Sequence, residues 1–310
     1  MKILITGCYG FLGYSLAMKC LDKGWSVIGI DRTGKNAISE KYSRIANLAG
    51  REGFTFRECD ISSWLDTYQV YNQTHPDTVM HLAAMYSVPH DTDIMHNYIR
   101  SNLVGFMHVI EAAKHFKVKR FHYASSTWVD DHIMPWTMYG ATKQFNEHAA
   151  NIYSTQFDME TLGIRYGSAF GPFCRADVGP SIVAKRLLSG NPHDLKGSYL
   201  YKTAFLDVDD AVDVTLSLLT APLPKKHNIC TIVADDQRHN LYEILQYFAA
   251  RTGVQPIYTG EYIDPGPGGV PTEKLDQLEK LIGYRPPTKV EQAAEKFIYW
   301  YNLQFRAGLV

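Results

Sequence analysis

The chain begins Met1-Lys2-Ile3-Leu4-Ile5-Thr6-Gly7-Cys8-Tyr9-Gly10-Phe11-Leu12-Gly13. Glycine cuts an apolar run, and residues 12–23 then place Leu12, Leu16 and Cys20 on one helical face. Strand, glycine turn and helix in that order present open amides and a positive dipole end, where a pyrophosphate can sit. Glycine lets the turn close and the backbone approach the anion. A second strand, residues 26–30, is closed by Asp31, 18 residues after Gly13. A carboxylate there accepts hydrogen bonds from an adenosine ribose and repels a 2′-phosphate, which favours NAD over NADP. Arg32, its neighbour, pulls the other way.

Working outward, short apolar strands at residues 55–58, 78–84, 121–126 and 160–166 alternate with helices at 97–116 and 139–156. That alternation predicts an α/β fold: a Rossmann-type doubly wound parallel sheet covered on both faces. Asp60-Ile61 follows the third strand and is placed to reach an adenine edge. Leu82-Ala83-Ala84 ends the fourth, where small residues let the strand pass beneath a cofactor. Past Tyr166 the rhythm fades. Gly171-Pro172, Gly179-Pro180 and Asn191-Pro192 punctuate a looped region with a helix at 181–188. Strands at 204–208 and 228–233, a helix at 241–252, a turn-rich stretch at 264–271 and an amphipathic helix at 291–305 complete the chain. The expected division is a dinucleotide-binding domain of residues 1–165 with a returning segment at about 204–235. A smaller substrate-binding domain takes 166–203 and 236–310.

The 310 residues carry 31 basic and 32 acidic side chains, a net charge of −1, so no basic field exists to hold nucleic acid or an anionic membrane. Five scattered cysteines without a Cys-x-x-Cys pair predict a reduced, cytoplasmic protein lacking disulfides and zinc. No apolar stretch approaches a membrane span. His90, Asp93, His96 and His132 lack metal spacing, and no metal is expected.

Tyr139-Gly140-Ala141-Thr142-Lys143 opens the helix at 139–156. Four residues make about one turn, so tyrosine and lysine share a face. A nearby ammonium stabilises phenolate and makes tyrosine a usable base near neutrality. Ser126 ends the fifth strand and offers a hydroxyl to the same region.

Together, Thr6-Gly7 through Gly13, His81-Leu82-Ala83-Ala84, Asn102, Ser125-Ser126, Tyr139 with Lys143, Arg165-Tyr166, Phe170-Gly171-Pro172 and Val208-Asp209-Asp210 resemble the extended short-chain dehydrogenase/reductases. The likeness is to their nucleotide-sugar epimerases and dehydratases and runs from Met1 to about Phe305. It implies NAD held by Gly7, Gly10, Phe11, Leu12, Gly13, Asp31, Arg32, Asp60, Ile61, Leu82, Ala83, Ala84, Asn102, Tyr139, Lys143 and Tyr166. It also implies Tyr139 as catalytic base, Lys143 binding the nicotinamide ribose and tuning the tyrosine, and Ser126 bonding the reacting hydroxyl.

Within the family the chain is most similar to the UDP-glucuronate 4-epimerases. The matching stretches are Tyr123-Ala124-Ser125-Ser126-Thr127, Tyr139 to Glu147, Gly171 to Asp177, Gly283-Tyr284-Arg285-Pro286 and Trp300-Tyr301. The match implies that Ser125, Ser126, Thr127 and Ser168 surround the sugar carboxylate and that Arg175 contacts the diphosphate. The chain departs from the family at Val129-Asp130-Asp131, where Val-Tyr-Gly is usual, and at Pro89 and Thr203, where arginine is usual. Only twelve residues separate Ser126 from Tyr139. Thr127-Trp128 replaces the acidic pair of the dehydratases, which favours epimerisation. The expectation is therefore an NAD-dependent nucleotide-sugar 4-epimerase passing through a 4-keto sugar. A 4,6-dehydratase, decarboxylase or keto-sugar reductase of the same fold is the alternative, with a non-catalytic dinucleotide-binding regulator behind it. The family's helix pair, here 97–116 and 139–156, implies a homodimer.

Overall fold

The computed structural model describes residues 1–33, 39–86, 95–129, 137–190, 194–195, 203–235, 239, 241–254, 257–258 and 271–309. The first half runs β1 (Lys2–Thr6), α1 (Phe11–Asp22), β2 (Ser26–Asp31), α2 (Ser39–Leu48), β3 (Phe54–Glu58), α3 (Trp64–Thr74) and β4 (Thr78–His81). Then come α4 (Met95–Tyr98), a π-helical stretch (Ile99–Gly105), α5 (Phe106–His115), β5 (Arg120–Ser126), α6 (Met138–Phe157) and β6 (Glu160–Tyr166). The remainder is β7 (Ser168–Phe170), α7 (Gly179–Leu188), β8 (Asp194–Leu195), β9 (Phe205–Asp207), α8 (Val208–Thr220), β10 (His227–Ile232), α9 (Leu241–Thr252), β11 (Ile257–Tyr258), α10 (Thr272–Ile282) and α11 (Val290–Arg306).

Seven parallel strands form the main sheet in the order β10-β6-β5-β4-β1-β2-β3. The chain winds one way from β1 to β3 and the other way from β4, so the loops after β1 and β4 diverge at the switch point where such sheets bind ligands. All four residues of β4 and the last four of β1 are buried, as central strands of a sheet covered on both faces require. Tyr71, Phe106, Phe121 and Tyr123 fill the core between sheet and helices.

By its contacts the chain forms two compact units, Met1–Ala37 with Lys41–Tyr166 and Thr215–Thr231, and Ile38–Glu40 with Gly167–Val214 and Ile232–Val310. The returning segment is thus shorter than residues 204–235. β9 pairs with β7 in a separate two-stranded sheet, which ties residues 205–207 to the second unit. In that unit α7, α9 and α11 pack on one another, and Phe297 of α11 meets Phe170 and Phe248.

Two predicted elements come out differently. The helix over 97–116 is interrupted by the π-helical stretch. Gly105 lies so close to Ile61 that an added Cβ would stand 2.7 Å from its side chain, and Asn102 turns to the backbone of Met85. The strand over 78–84 stops at His81; the Leu82 amide is shared between the Thr6 carbonyl and hydroxyl, both at 3.2 Å, and the Ala83 amide donates to the hydroxyl at 3.0 Å. Helices α2, α3 and α10 are mostly polar and are not among the predicted elements, although Leu275, Leu278 and Ile282 of α10 fall at helical spacing. Pro89, His90, Asp93, Asp130, Asp131, His132, Asn191-Pro192 and the turn at 264–270 lie outside the described residues. All five cysteines are free and buried. Among the described residues no helix is long and apolar enough to cross a membrane, and no group of side chains could hold a metal.

Candidate active site

The turn from β1 into α1 is closed by Gly10 N–H donating to the Gly7 carbonyl at 2.8 Å. Gly7 has φ +72°, and a Cβ there would meet the Ala83 amide at 2.9 Å. A Cβ on Gly13 would stand 2.1 Å from the Gly7 carbonyl oxygen. Gly10 precedes α1 and has no side chain to cap it, and no acidic residue stands in the first turn, beside Phe11 and Leu12. The first amides of α1 therefore face an anion site rather than a protein oxygen. This cradle fits a dinucleotide pyrophosphate. Gly13→Ala is expected to destabilise the protein by at least about 1–3 kcal/mol and to strip it of bound dinucleotide. A thermal melt and the absorbance of nucleotide released on denaturation check both.

Asp31 ends β2. Its carboxylate accepts from the amides of Tyr9 (2.9 Å) and Arg32 (2.7 Å) and from Lys41 Nζ (3.0 Å). Lys41 is brought there by α2, as is the buried Arg44, whose Nε donates to the Tyr9 carbonyl. Neither cation is signalled in sequence, because their partners Asp31 and Tyr9 lie on other elements and meet them only by tertiary packing. Arg32 is largely exposed and lies 3.9 Å from Asp60. Asp60 accepts from the Ser62 amide and hydroxyl and from Arg100, and these bonds hold its carboxyl below the usual range despite partial burial. Ile61, next to it, is buried.

His81 joins these loops to the chemistry. It is buried and its Nδ1 shares a 2.9 Å hydrogen bond with the Thr6 hydroxyl, which also receives the amides of Leu82 and Ala83. Burial and then the charge of Lys143 push its pKa down to about 3, so the ring stays neutral. Ala84 lies next on the same loop, and Asn102 clamps Met85 beyond it while donating to Thr142 on α6 at 3.1 Å.

Thr137 caps α6 by accepting from Gly140 N–H, which sets Tyr139 in the first turn. The Tyr139 ring packs edge-on to Tyr86 and Trp128, with centroids at 4.9 and 6.0 Å. Lys143 is 1% exposed. Its Nζ donates to the Ala124 carbonyl at 2.8 Å and lies 5.5 Å from the centre of the Tyr139 ring. Burial lowers its pKa to about 8, with the Glu147 carboxylate opposing the shift. At the end of β5, Ser126 Oγ accepts from the Trp128 amide at 3.2 Å, and Thr127 Oγ1 donates to the Tyr166 carbonyl at 3.4 Å. The Tyr166 hydroxyl is turned to Thr215 at 2.6 Å.

Ser125 does not present its hydroxyl beside Ser126. Alternation along a strand sends it to the other face, where it is buried and donates to Glu147, which Arg165 also binds. Ser168 and Arg175 belong to the second unit. Ser168 shares a hydrogen bond with Thr203 at 2.9 Å. Arg175 pairs with Asp177 through both Nε and Nη2. Glu147 and Arg165 stood in the motifs without a role, although the helical repeat from Tyr139 through Lys143 already points to Glu147.

A sequence model described as the NAD dependent epimerase/dehydratase family matches residues 3–230. Protein CapI of Staphylococcus aureus is 30% identical over 97% of this chain and 98% of its own length. A probable UDP-glucuronate 4-epimerase of Rhizobium meliloti (strain 1021) is 25% identical over 99% of this chain and 98% of its own. Among solved structures, UDP-glucuronic acid 4-epimerase from Bacillus cereus, in complex with UDP-glucuronic acid and NAD, has the same fold. Its TM-score is 0.85 at 24% identity, covering 98% of this chain and 99% of that one. The sheet order, the glycine cradle and a family match spanning well over half the chain agree, and the chain belongs to the NAD dependent epimerase/dehydratase family.

Proposed function

We propose that this chain is an NAD-dependent nucleotide-sugar 4-epimerase acting on a UDP-sugar such as UDP-glucuronate. The observation that carries the reading is the buried ammonium of Lys143, 5.5 Å from the ring of Tyr139 at the carboxyl end of the sheet. The names of the relatives, UDP-glucuronate 4-epimerases among them, support the substrate class.

NAD, when bound, supplies a reversible hydride acceptor for carbon 4 of the sugar. The amides of Phe11, Leu12 and Gly13 take its pyrophosphate, Asp31 its adenosine ribose, and Asp60 and Ile61 its adenine. Tyr139 as phenolate removes the proton of the sugar 4-hydroxyl and later returns it to the 4-keto sugar. Lys143 stabilises that phenolate, since an adjacent cation favours the charged form. Ser126 donates to the sugar's 4-oxygen. Thr127 bonds the sugar carboxylate, and Ser168 and Arg175 are the second unit's candidates for contacts to the nucleotide sugar. Trp128 has no acidic proton for a leaving hydroxyl, its indole N–H being only a hydrogen-bond donor, which supports epimerisation over elimination.

A panel of nucleotide sugars, with products resolved by proton NMR, tests the reading. The expected result is the C4 epimer of a UDP-sugar with no net change in NAD redox state. A dehydrated or decarboxylated product, or conversion of none, would contradict it.

A cytoplasmic homodimer completes the proposal. Met95, Ile99 and Val104 around the π-helical stretch, and Phe145, Ile152 and Phe157 on α6, are exposed apolar side chains suited to a two-fold interface. Light scattering is expected to give about twice the chain mass of 35.1 kDa. A concentration-independent monomer would remove the dimer.

A further inference from the structure

Tyr139, Lys143 and Ser126 account for the proton transfer and leave a buried carboxylate unused. Glu147 follows Lys143 by one helical turn, as Lys143 follows Tyr139, so all three share a face of α6. Glu147 is 8% exposed. Its Oε1 accepts from the Ser125 hydroxyl at 2.5 Å and from Arg165 Nε at 2.7 Å, and its Oε2 from Arg165 Nη2 at 2.6 Å. Ser125 and Arg165 are register partners on neighbouring strands. Lys143 bonds the carbonyl of Ala124, one residue earlier. Helix α6 therefore grips β5 at two successive residues, and the next residue along the strand is Ser126.

Packing alone does not require this arrangement. A buried ion pair is often no more stabilising than apolar side chains of the same volume. What apolar side chains cannot supply is a negative charge near Lys143. The groups around Lys143 are Tyr139 and Glu147 on α6 and His81 on β4, and Arg165 on β6 binds Glu147. Tyr123 on β5, His227 on β10 and His148 on α6 border the Glu147 side of the cluster. His81 and Tyr123 are held neutral by burial. Glu147 is the carboxylate of this set, and it acts on Lys143 against the burial penalty.

We propose that Glu147 is a positioning residue of this site: bonded to Ser125 and Arg165, it fixes Lys143 and Ser126 against Tyr139 and sets its carboxylate one helical turn from the Lys143 ammonium. The catalytic half of this statement rests on the epimerase reading above; the charge coupling does not.

The test is a pH titration of lysine Cε shifts by NMR on protein labelled with carbon-13 lysine, the Lys143 signal being assigned by its loss in Lys143→Met. The wild-type midpoint is expected near 8. Glu147→Gln removes the carboxylate charge that favours the Lys143 ammonium, and the midpoint should fall by about one unit or more. Arg165→Met leaves the Glu147 charge uncompensated, and the midpoint should rise. The double variant should lie between them. The alkaline limb of kcat/KM should follow the midpoint in each case. Equal losses of rate with an unmoved midpoint would overturn the proposal. If Glu147→Gln does not fold, Arg165→Met decides by itself: a rise supports the proposal, and no rise overturns it. Midpoints that move in a protein converting no nucleotide sugar would sink the epimerase reading and leave the coupling standing. Conversion with fixed midpoints would do the reverse.

Discussion

Tyr139→Phe is expected to slow turnover by about 10²–10⁴-fold, the usual worth of a general base. The substitution removes a hydroxyl and keeps the ring. The edge-on contacts with Tyr86 and Trp128 survive, and so does the cap that Thr137 gives to Gly140. Melting temperature and NAD content should therefore match wild type. Steady-state kinetics beside a thermal melt and nucleotide extraction make the comparison. Near-normal turnover would mean that the proton goes elsewhere.

Lys143→Met is expected to separate activity from stability. Turnover should collapse by at least as much as in Tyr139→Phe, because the phenolate loses its cation, and NAD should be lost with the lysine's ribose contact. Stability should move the other way. The folded-state pKa of Lys143, about 8, lies below the ordinary lysine value of 10.5, so between those pH values the unfolded chain binds more protons. Wild-type stability therefore rises with pH through that window, and below pH 8 a buried charge burdens the fold. Methionine of similar length removes that burden. The cofactor-free variant should melt at or above wild type at pH 7, by about 2–4 °C per kcal/mol recovered, and should lack the alkaline rise. A variant that melts well below wild type at pH 7 would show that the ammonium is net stabilising through Ala124 and Glu147.

The first half of the fold was legible because its signals are local and agree with one another. The apolar runs of β1, β2 and β4, the glycine turn and the repeat from Tyr139 to Lys143 each specify one conformation. The interruption before α5 was not legible. Gly105 at its end meets Ile61, far away in the chain, and no local pattern records that contact. For Ser125, motif adjacency suggests a place beside Ser126, whereas strand alternation turns its hydroxyl to Glu147. Lys41 and Arg44 reach Asp31 and Tyr9 only through tertiary packing of a mostly polar helix. Across the second unit, where short strands replace long ones, the apolar period is too brief to fix a boundary, and the pairing of β7 with β9 set it instead.

The central claim is that the sugar is oxidised and re-reduced at carbon 4 without net redox change. UDP-glucuronate carrying deuterium at carbon 4 tests it most directly. The account predicts the 4-epimer with deuterium retained at carbon 4 and no accumulation of NADH. Exchange of that deuterium for solvent hydrogen, or NADH formed in proportion to product, would contradict it.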